Sequence, residues 1–64
     1  MKKIEKSRKY QNGIQVSWTE EEKEFADFFP YEELIAMKIN ALDLLKNPGI
    51  YRVDEKNHKL ESSV

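Results

Sequence analysis

His58 is the only histidine, and it is the first residue to test for catalytic chemistry. A serine triad needs a histidine beside a serine nucleophile, with a carboxylate that orients the imidazole ring. His58 is predicted to lie in a turn or an edge strand near the frayed end, and the sequence around it positions neither partner. We therefore interpret His58 as a solvated side chain and expect no catalytic residues.

Metal and phosphate sites have equally little support in the sequence. One histidine and no cysteine leave no nitrogen or sulfur cluster for zinc. The acidic residues do not follow the spacing of a calcium-binding loop, and two glycines provide no phosphate-binding loop. We predict a protein that is not an enzyme and that binds no metal and no cofactor.

The first 18 residues carry five basic groups and one acid, a net charge of +4, and the basic residues are interleaved with Tyr10 and Trp18. Basic and aromatic groups on strands can hold single-stranded nucleic acid, and a two-stranded ribbon fits the major groove of DNA. Lysines also protect sheet edges from aggregation, which is the alternative interpretation. The candidate nucleic-acid contacts are Lys3, Lys6, Arg8, Lys9 and Tyr10.

An acidic block follows, since residues 19–36 carry seven acids against one lysine, a net charge of −6. Such a face can dock on a basic surface of another protein, or it can simply keep the chain soluble. The candidate protein contacts combine this block with an apolar helix surface described below. They are Glu20, Glu21, Glu24, Asp27, Met37, Lys38 and Leu44.

Chain length and the absence of cysteine limit how stable a single domain of this chain can be. A chain of 64 residues buries only about 60% of its unfolded surface, and without cysteine it has no disulfide to add stability. A homodimer is a common alternative source of stability. No apolar run approaches the roughly 18 residues of a membrane span, and none resembles a signal peptide. We expect one cytoplasmic domain over residues 1–64, frayed at 1–3 and 62–64, that does not contact membranes.

An N-terminal β-hairpin is predicted over residues 4–18, because Asn12-Gly13 is a strong turn signal and the second strand alternates apolar and polar residues. A three-residue loop at 11–13, with Gly13 left-handed, pairs Tyr10 with Ile14. This register brings Tyr10 onto the apolar face of the second strand, so we prefer it to a two-residue loop.

Two helices are predicted next. Thr19 begins a capping box for a short helix over residues 19–29, and Pro30 begins a long helix that ends at Lys46. The apolar arc of the long helix is about twice the usual width, which suggests a second contact surface with Lys38 in its middle. The arc contains Tyr31, Leu34, Ile35, Met37, Ile39, Ala41, Leu42, Leu44 and Leu45.

After the long helix, residues 50–53 resemble a strand, 54–57 a turn and 58–60 a short return strand. The predicted fold class is therefore α+β. It has an N-terminal antiparallel hairpin, a short helix, a long helix and a C-terminal strand or small hairpin, in the order ββααβ(β).

These features favour a small non-enzymatic protein-interaction module, a regulator or inhibitor that acts through the acidic helix face and the apolar helix surface. Small bacterial and phage regulators offer an analogy of size and composition. The first alternative is a nucleic-acid-binding protein that uses the basic hairpin. The second alternative is a structural subunit of a homo-oligomer.

Overall fold

The computed structural model describes residues 1–63, and within them the chain forms two three-stranded antiparallel sheets and two short α-helices. Val64, part of the segment expected to fray, lies outside the described residues. A 3₁₀ turn, Pro48–Ile50, precedes β5. The elements are β1 (Lys2–Lys3), β2 (Lys6–Tyr10), β3 (Gly13–Glu20), β4 (Lys23–Pro30), α1 (Tyr31–Ala36), α2 (Ala41–Lys46), β5 (Tyr51–Asp54) and β6 (Lys59–Ser62).

The two sheets, β2–β3–β4 and β1–β5–β6, meet where the chain passes from β1 to β2. The N–H of Ile4 donates to the carbonyl of Tyr51, over 3.2 Å. The N–H of the next residue, Glu5, donates to the carbonyl of Ser17, over 2.9 Å. Two adjacent residues therefore pair with strands of different sheets, and β1 and β2 act as one bent strand.

The core lies between the inner faces of these sheets, and α1 and α2 cover it. The predicted alternation in β3 is confirmed, since Ile14, Val16 and Trp18 are all buried. Burial of such side chains is the main favourable term in folding. The buried apolar residues are Ile4, Ile14, Val16, Trp18, Phe29, Leu34, Leu44, Tyr51, Val53 and Leu60.

The predicted register of the first hairpin is wrong. Tyr10 pairs with Gly13, and Lys9, rather than Tyr10, pairs with Ile14. The turn consists of Gln11 and Asn12, while Gly13 belongs to β3 and has no positive φ. Tyr10 consequently projects from the outer face of the sheet, and 42% of its surface is exposed.

Gly13 is needed for a close approach between strands and not for a left-handed turn. A Cβ at this position would overlap the carbonyl oxygen of Phe29. It would also lie 2.6 Å from Cζ of Phe28 and 2.8 Å from Cα of Pro30. Because two of these atoms belong to the backbone of β4, the strand itself would have to move.

Gly13→Ala should therefore destabilise the fold by about 1–3 kcal/mol, the usual cost of overpacking. Gly49→Ala is the matched control, since the atom nearest to its added Cβ is Cε of Lys3, at 3.7 Å. Thermal unfolding of both variants measures the difference. Equal melting temperatures for the two variants would contradict the close approach of β4 to Gly13.

The predicted short helix over residues 19–29 is also wrong, because this segment forms the end of β3, a tight turn and most of β4. Glu21 and Glu22 make the turn, with φ values of 52° and 67°. In β4, Phe25 pairs with Trp18 and Phe29 pairs with Ile14. Residues 25, 27 and 29 share the inner face, but Asp27 interrupts the apolar alternation that would have indicated a strand.

The predicted long helix is broken into α1 and α2. Lys38 has a φ of 61°, and the N–H of Ile39 donates to the carbonyl of Leu34 over 2.9 Å. The N–H of Lys38 donates to the carbonyl of Ile35 over 3.0 Å, so α1 ends in a Schellman motif. This motif usually has glycine where this chain has Lys38, so the end of α1 carries no recognisable stop signal in the sequence.

A new helix then begins at a side-chain cap. Oδ1 of Asn40 accepts a hydrogen bond from the N–H of Asp43, over 3.1 Å. Asparagine is among the residues preferred at this position, so this start signal was present in the sequence and was overlooked.

The break also removes the wide apolar arc. Leu34 in α1 and Leu44 in α2 are buried in the core. Ile35 and Leu42, by contrast, are 75% and 68% exposed. The other residues of the predicted arc pack partly buried against the core: Tyr31, Met37, Ile39, Ala41 and Leu45. The structure is therefore mostly β with two short helices, and the predicted ββααβ(β) fold with a long helix is wrong.

The C-terminal segment forms the antiparallel hairpin β5–β6, close to its expected position.

A hydrogen bond from the hydroxyl of Tyr51 to Oδ2 of Asp43, over 2.6 Å, attaches β5 to α2. This bond and burial raise the pKa of Tyr51 to about 12. The same bond, with a second one from Asn47, lowers the pKa of Asp43.

Lys38→Gly should stabilise the protein by about 0.5–1 kcal/mol, because glycine adopts positive φ without the steric cost that a Cβ brings. Lys38→Ala serves as the control, since alanine also loses the charge but keeps the Cβ. Chemical denaturation of the three proteins measures the effect. A glycine variant no more stable than the alanine variant would contradict a strained Lys38.

Candidate binding surface on the outer sheet face

The outer face of β2–β3–β4 is the side of this sheet that points away from the core. Pairing across the three strands sets its side chains in rows, because directly opposed residues share a face. One row contains Arg8, Gln15 and Phe28. The next row contains Lys6, Ser17 and Ala26. Basic, amide and aromatic groups therefore occupy a single exposed face.

Three of these side chains form a cation–aromatic cluster. Cζ of Arg8 lies 5.9 Å from the centroid of the Tyr10 ring. The rings of Tyr10 and Phe28 lie 6.1 Å apart at 77°, an edge-to-face arrangement. The Tyr10 hydroxyl also donates to Oε1 of Gln15 over 3.2 Å. These contacts fix the orientation of an exposed aromatic ring beside a guanidinium group.

A shallow hollow adjoins this cluster, because Ser17 and Ala26 have small side chains in the middle of the sheet. It is open to solvent and has a volume of about 370 Å³. The β2 side of the hollow is basic and the β4 side is acidic. Its lining residues are Lys6, Ser7, Arg8, Gln15, Ser17, Glu24 and Ala26. An anionic ligand is therefore favoured on the β2 side.

The tip of the β3–β4 hairpin is acidic. Glu21 and Glu22 form the turn, Glu20 precedes it, and Lys23 and Glu24 follow it, so that four acids outnumber one lysine. Nζ of Lys2 pairs with Oε2 of Glu20. The sheet therefore has a negative end beyond the hollow, which repels phosphate groups there.

The predicted nucleic-acid contacts separate into two groups. Lys6, Arg8 and Tyr10 share the outer face, as alternate residues of one strand. Lys9 projects from the opposite face beside Ile14, and Lys3 belongs to β1 in the other sheet. The structure adds Gln15 and Phe28 to the first group. Phe28 was missed because its segment was assigned to a helix.

The predicted protein contacts do not form one surface. Glu20, Glu21 and Glu24 lie together at the hairpin tip, while Lys38 lies exposed at the break between the helices. Leu44 is fully buried and belongs to the core.

Met37 and Asp27 are occupied by contacts within the fold. Sδ of Met37 accepts a hydrogen bond from the N–H of Leu60, over 3.4 Å, and so covers part of the β6 edge. Oδ2 of Asp27 lies 3.1 Å from Nδ1 of His58.

His58 is exposed, with 42% of its side-chain surface accessible to solvent, but it has the side-chain partners that the sequence did not indicate. Its Nε2 atom lies 2.8 Å from Oε1 of Glu33, and its ring stacks on Phe29 with centroids 4.2 Å apart at 12°. These contacts could not be predicted from the sequence, because Asp27 lies in β4, Glu33 in α1 and His58 in the turn between β5 and β6.

Within residues 1–63, no group of three or more histidine, cysteine or carboxylate side chains is arranged to hold a metal ion. No helix in that part of the chain is long and apolar enough to cross a membrane. No protein-family model, no curated protein and no solved structure matches this chain.

Proposed function

We propose that this chain is a non-enzymatic binding protein that holds a short segment of single-stranded nucleic acid on the outer face of β2–β3–β4. The observation that supports it is the cluster of Arg8, Tyr10 and Phe28, next to Lys6, on an exposed antiparallel sheet. Proteins that bind single strands combine such cations, which contact phosphates, with aromatic rings on which bases stack.

The ligand should be a single strand rather than a duplex. Only a single strand presents unstacked bases to a ring such as that of Tyr10, which is 42% exposed. Gln15, in the next strand, has an amide that can bond the edge of a base. A duplex would also bring a second row of phosphates towards the acidic hairpin tip, which costs affinity. Because the acidic tip repels phosphates, we expect the bound strand to be only a few nucleotides long.

Arg8→Glu should weaken binding strongly and lower the slope of log affinity against log salt by about 1 or more, because a phosphate contact is lost. The matched control is Lys9→Glu, which makes the same charge change on the neighbouring residue but on the opposite face of the sheet. Fluorescence anisotropy with a labelled thymidine oligonucleotide at several salt concentrations measures both variants.

In the same assay, Tyr10→Ala should lose about 1–3 kcal/mol of stacking, whereas Tyr10→Phe should retain most of it. Equal losses for Arg8→Glu and Lys9→Glu would mean that only overall charge matters, which contradicts a site on the outer face. Failure of the unmodified protein to bind the oligonucleotide at low salt would remove the proposed function itself.

A second candidate function is the protein-interaction role, now restricted to the acidic hairpin tip. The observation that favours it is the tight turn at Glu21 and Glu22, which groups these carboxylates with Glu20 and Glu24 at one exposed end of the sheet. Such a tip suits a basic surface of another protein. The apolar helix arc no longer supports this role, because the long helix is broken.

The double variant Glu21→Lys/Glu24→Lys should lose basic partner proteins that the unmodified chain captures from a nuclease-treated cell extract. The control is Glu55→Lys/Glu61→Lys, the same charge change on the C-terminal hairpin. Mass spectrometry of the captured proteins compares the three samples. Identical partners for the two double variants would contradict a role for the tip.

A further inference from the structure

Both ring nitrogens of His58 face carboxylate oxygens. Nδ1 lies 3.1 Å from Oδ2 of Asp27, and Nε2 lies 2.8 Å from Oε1 of Glu33. A neutral imidazole carries a single N–H and can donate to only one of these oxygens. Its other nitrogen would then direct a lone pair at a carboxylate. The doubly protonated ring donates to both, so the geometry matches the charged form.

The electrostatic surroundings agree with this assignment. Burial by itself would lower the pKa of His58, but the hydrogen bond to Glu33 and the charge of Asp27 outweigh it, so that the pKa is raised. Asp27 comes from β4 and Glu33 from α1. On the histidine's own hairpin, Asp54 is bonded to Asn57, over 2.9 Å, and the cationic Lys59 is the next residue.

These contacts join parts of the fold that the backbone does not join. His58 lies in the turn of the β5–β6 hairpin, whereas Asp27 lies in β4 of the other sheet. The imidazole stacks on Phe29, which is fully buried. His58 thus covers a core residue and holds the C-terminal hairpin against β4 and α1.

We propose that His58 is a pH-sensitive clasp, which in its protonated form holds the β5–β6 hairpin against β4 and α1. When the ring loses its proton, only one of the two hydrogen bonds can remain and the ion pairs disappear. The hairpin turn then loosens, and Phe29 becomes accessible to water. This device is independent of the proposed binding function.

The sign of the effect follows from the raised pKa. A group whose pKa is higher in the folded than in the unfolded state stabilises the fold fully below the unfolded value, about 6.5 for histidine. The stabilisation disappears as the pH rises through the folded value. The clasp is therefore closed in mildly acidic solution and weakened in alkaline solution.

The first test is an NMR titration of His58 in the full chain, with Glu33→Gln and Glu32→Gln as a matched pair. Glu32 precedes Glu33 on α1 and makes no contact with the ring. We expect a pKa above about 6.5 in the unmodified protein, a lower pKa in Glu33→Gln and little change in Glu32→Gln. A pKa at or below the ordinary value, or the same shift in both variants, would overturn the proposal.

The second test compares melting temperatures at about pH 6 and about pH 8. His58→Phe keeps an aromatic ring to stack on Phe29 but cannot be protonated. The unmodified protein should lose more stability at the higher pH than His58→Phe does, and Glu33→Gln should fall between them. Equal losses in the unmodified protein and His58→Phe would overturn the proposal.

Hydrogen exchange distinguishes a clasp from a general contribution to stability. Protection factors, which correct for the intrinsic effect of pH, should fall between about pH 6 and about pH 8 at amides of β6 more than at those of β3. A uniform fall in both strands would contradict local release of the hairpin.

Discussion

The two-sheet arrangement depends on a switch in backbone pairing between two adjacent residues, Ile4 and Glu5, which bond to strands of different sheets. One N–H donates to Tyr51 in the second sheet, and the next N–H donates to Ser17 in the first. Because β1 and β2 act as one bent strand, one edge of each sheet is held beside the other at the core. Among residues 1–63, no other backbone hydrogen bond links the two sheets, and the His58 side chain contacts Asp27 of the first sheet from the turn of the second. The backbone therefore joins the sheets at one place, and side chains join them at the other.

The same arrangement divides the β2–β3–β4 sheet into two chemically different faces. Its inner face is committed to the core, whereas its outer face keeps Arg8 and Tyr10 available to a ligand. Composition alone indicates Lys6, Arg8 and Tyr10, because basic residues cluster there beside an aromatic one. Phe28 could not be added from sequence, since its position on this face depends on pairing between β3 and β4. Lys9 is the opposite case. Its charge is evident from the sequence, but the face of the sheet on which it lies depends on the strand register, and that register differs from the predicted one.

The fold was predictable where local signals agree with tertiary structure. The alternation of Ile14, Val16 and Trp18 correctly indicated β3, and the C-terminal hairpin lies near its expected position. The capping-box pattern after Thr19 was misleading, because pairing of Phe25 and Phe29 across the sheet outweighs a local preference for helix. Three turns also lack the usual residues: Glu21 and Glu22, Lys38 and His58 all adopt positive φ without glycine or asparagine. The rest of the fold must offset the cost of such conformations.

The thioether of Met37 has a consequence for the chemistry that this chain can tolerate. It receives the N–H of Leu60, which a sheet edge would otherwise leave open to another strand. Sulfur is a weak acceptor, and peroxide converts methionine to a bulkier, polar sulfoxide. Met37 is only partly buried. Conversion of its thioether to the sulfoxide would therefore disturb the cover over this part of the β6 edge.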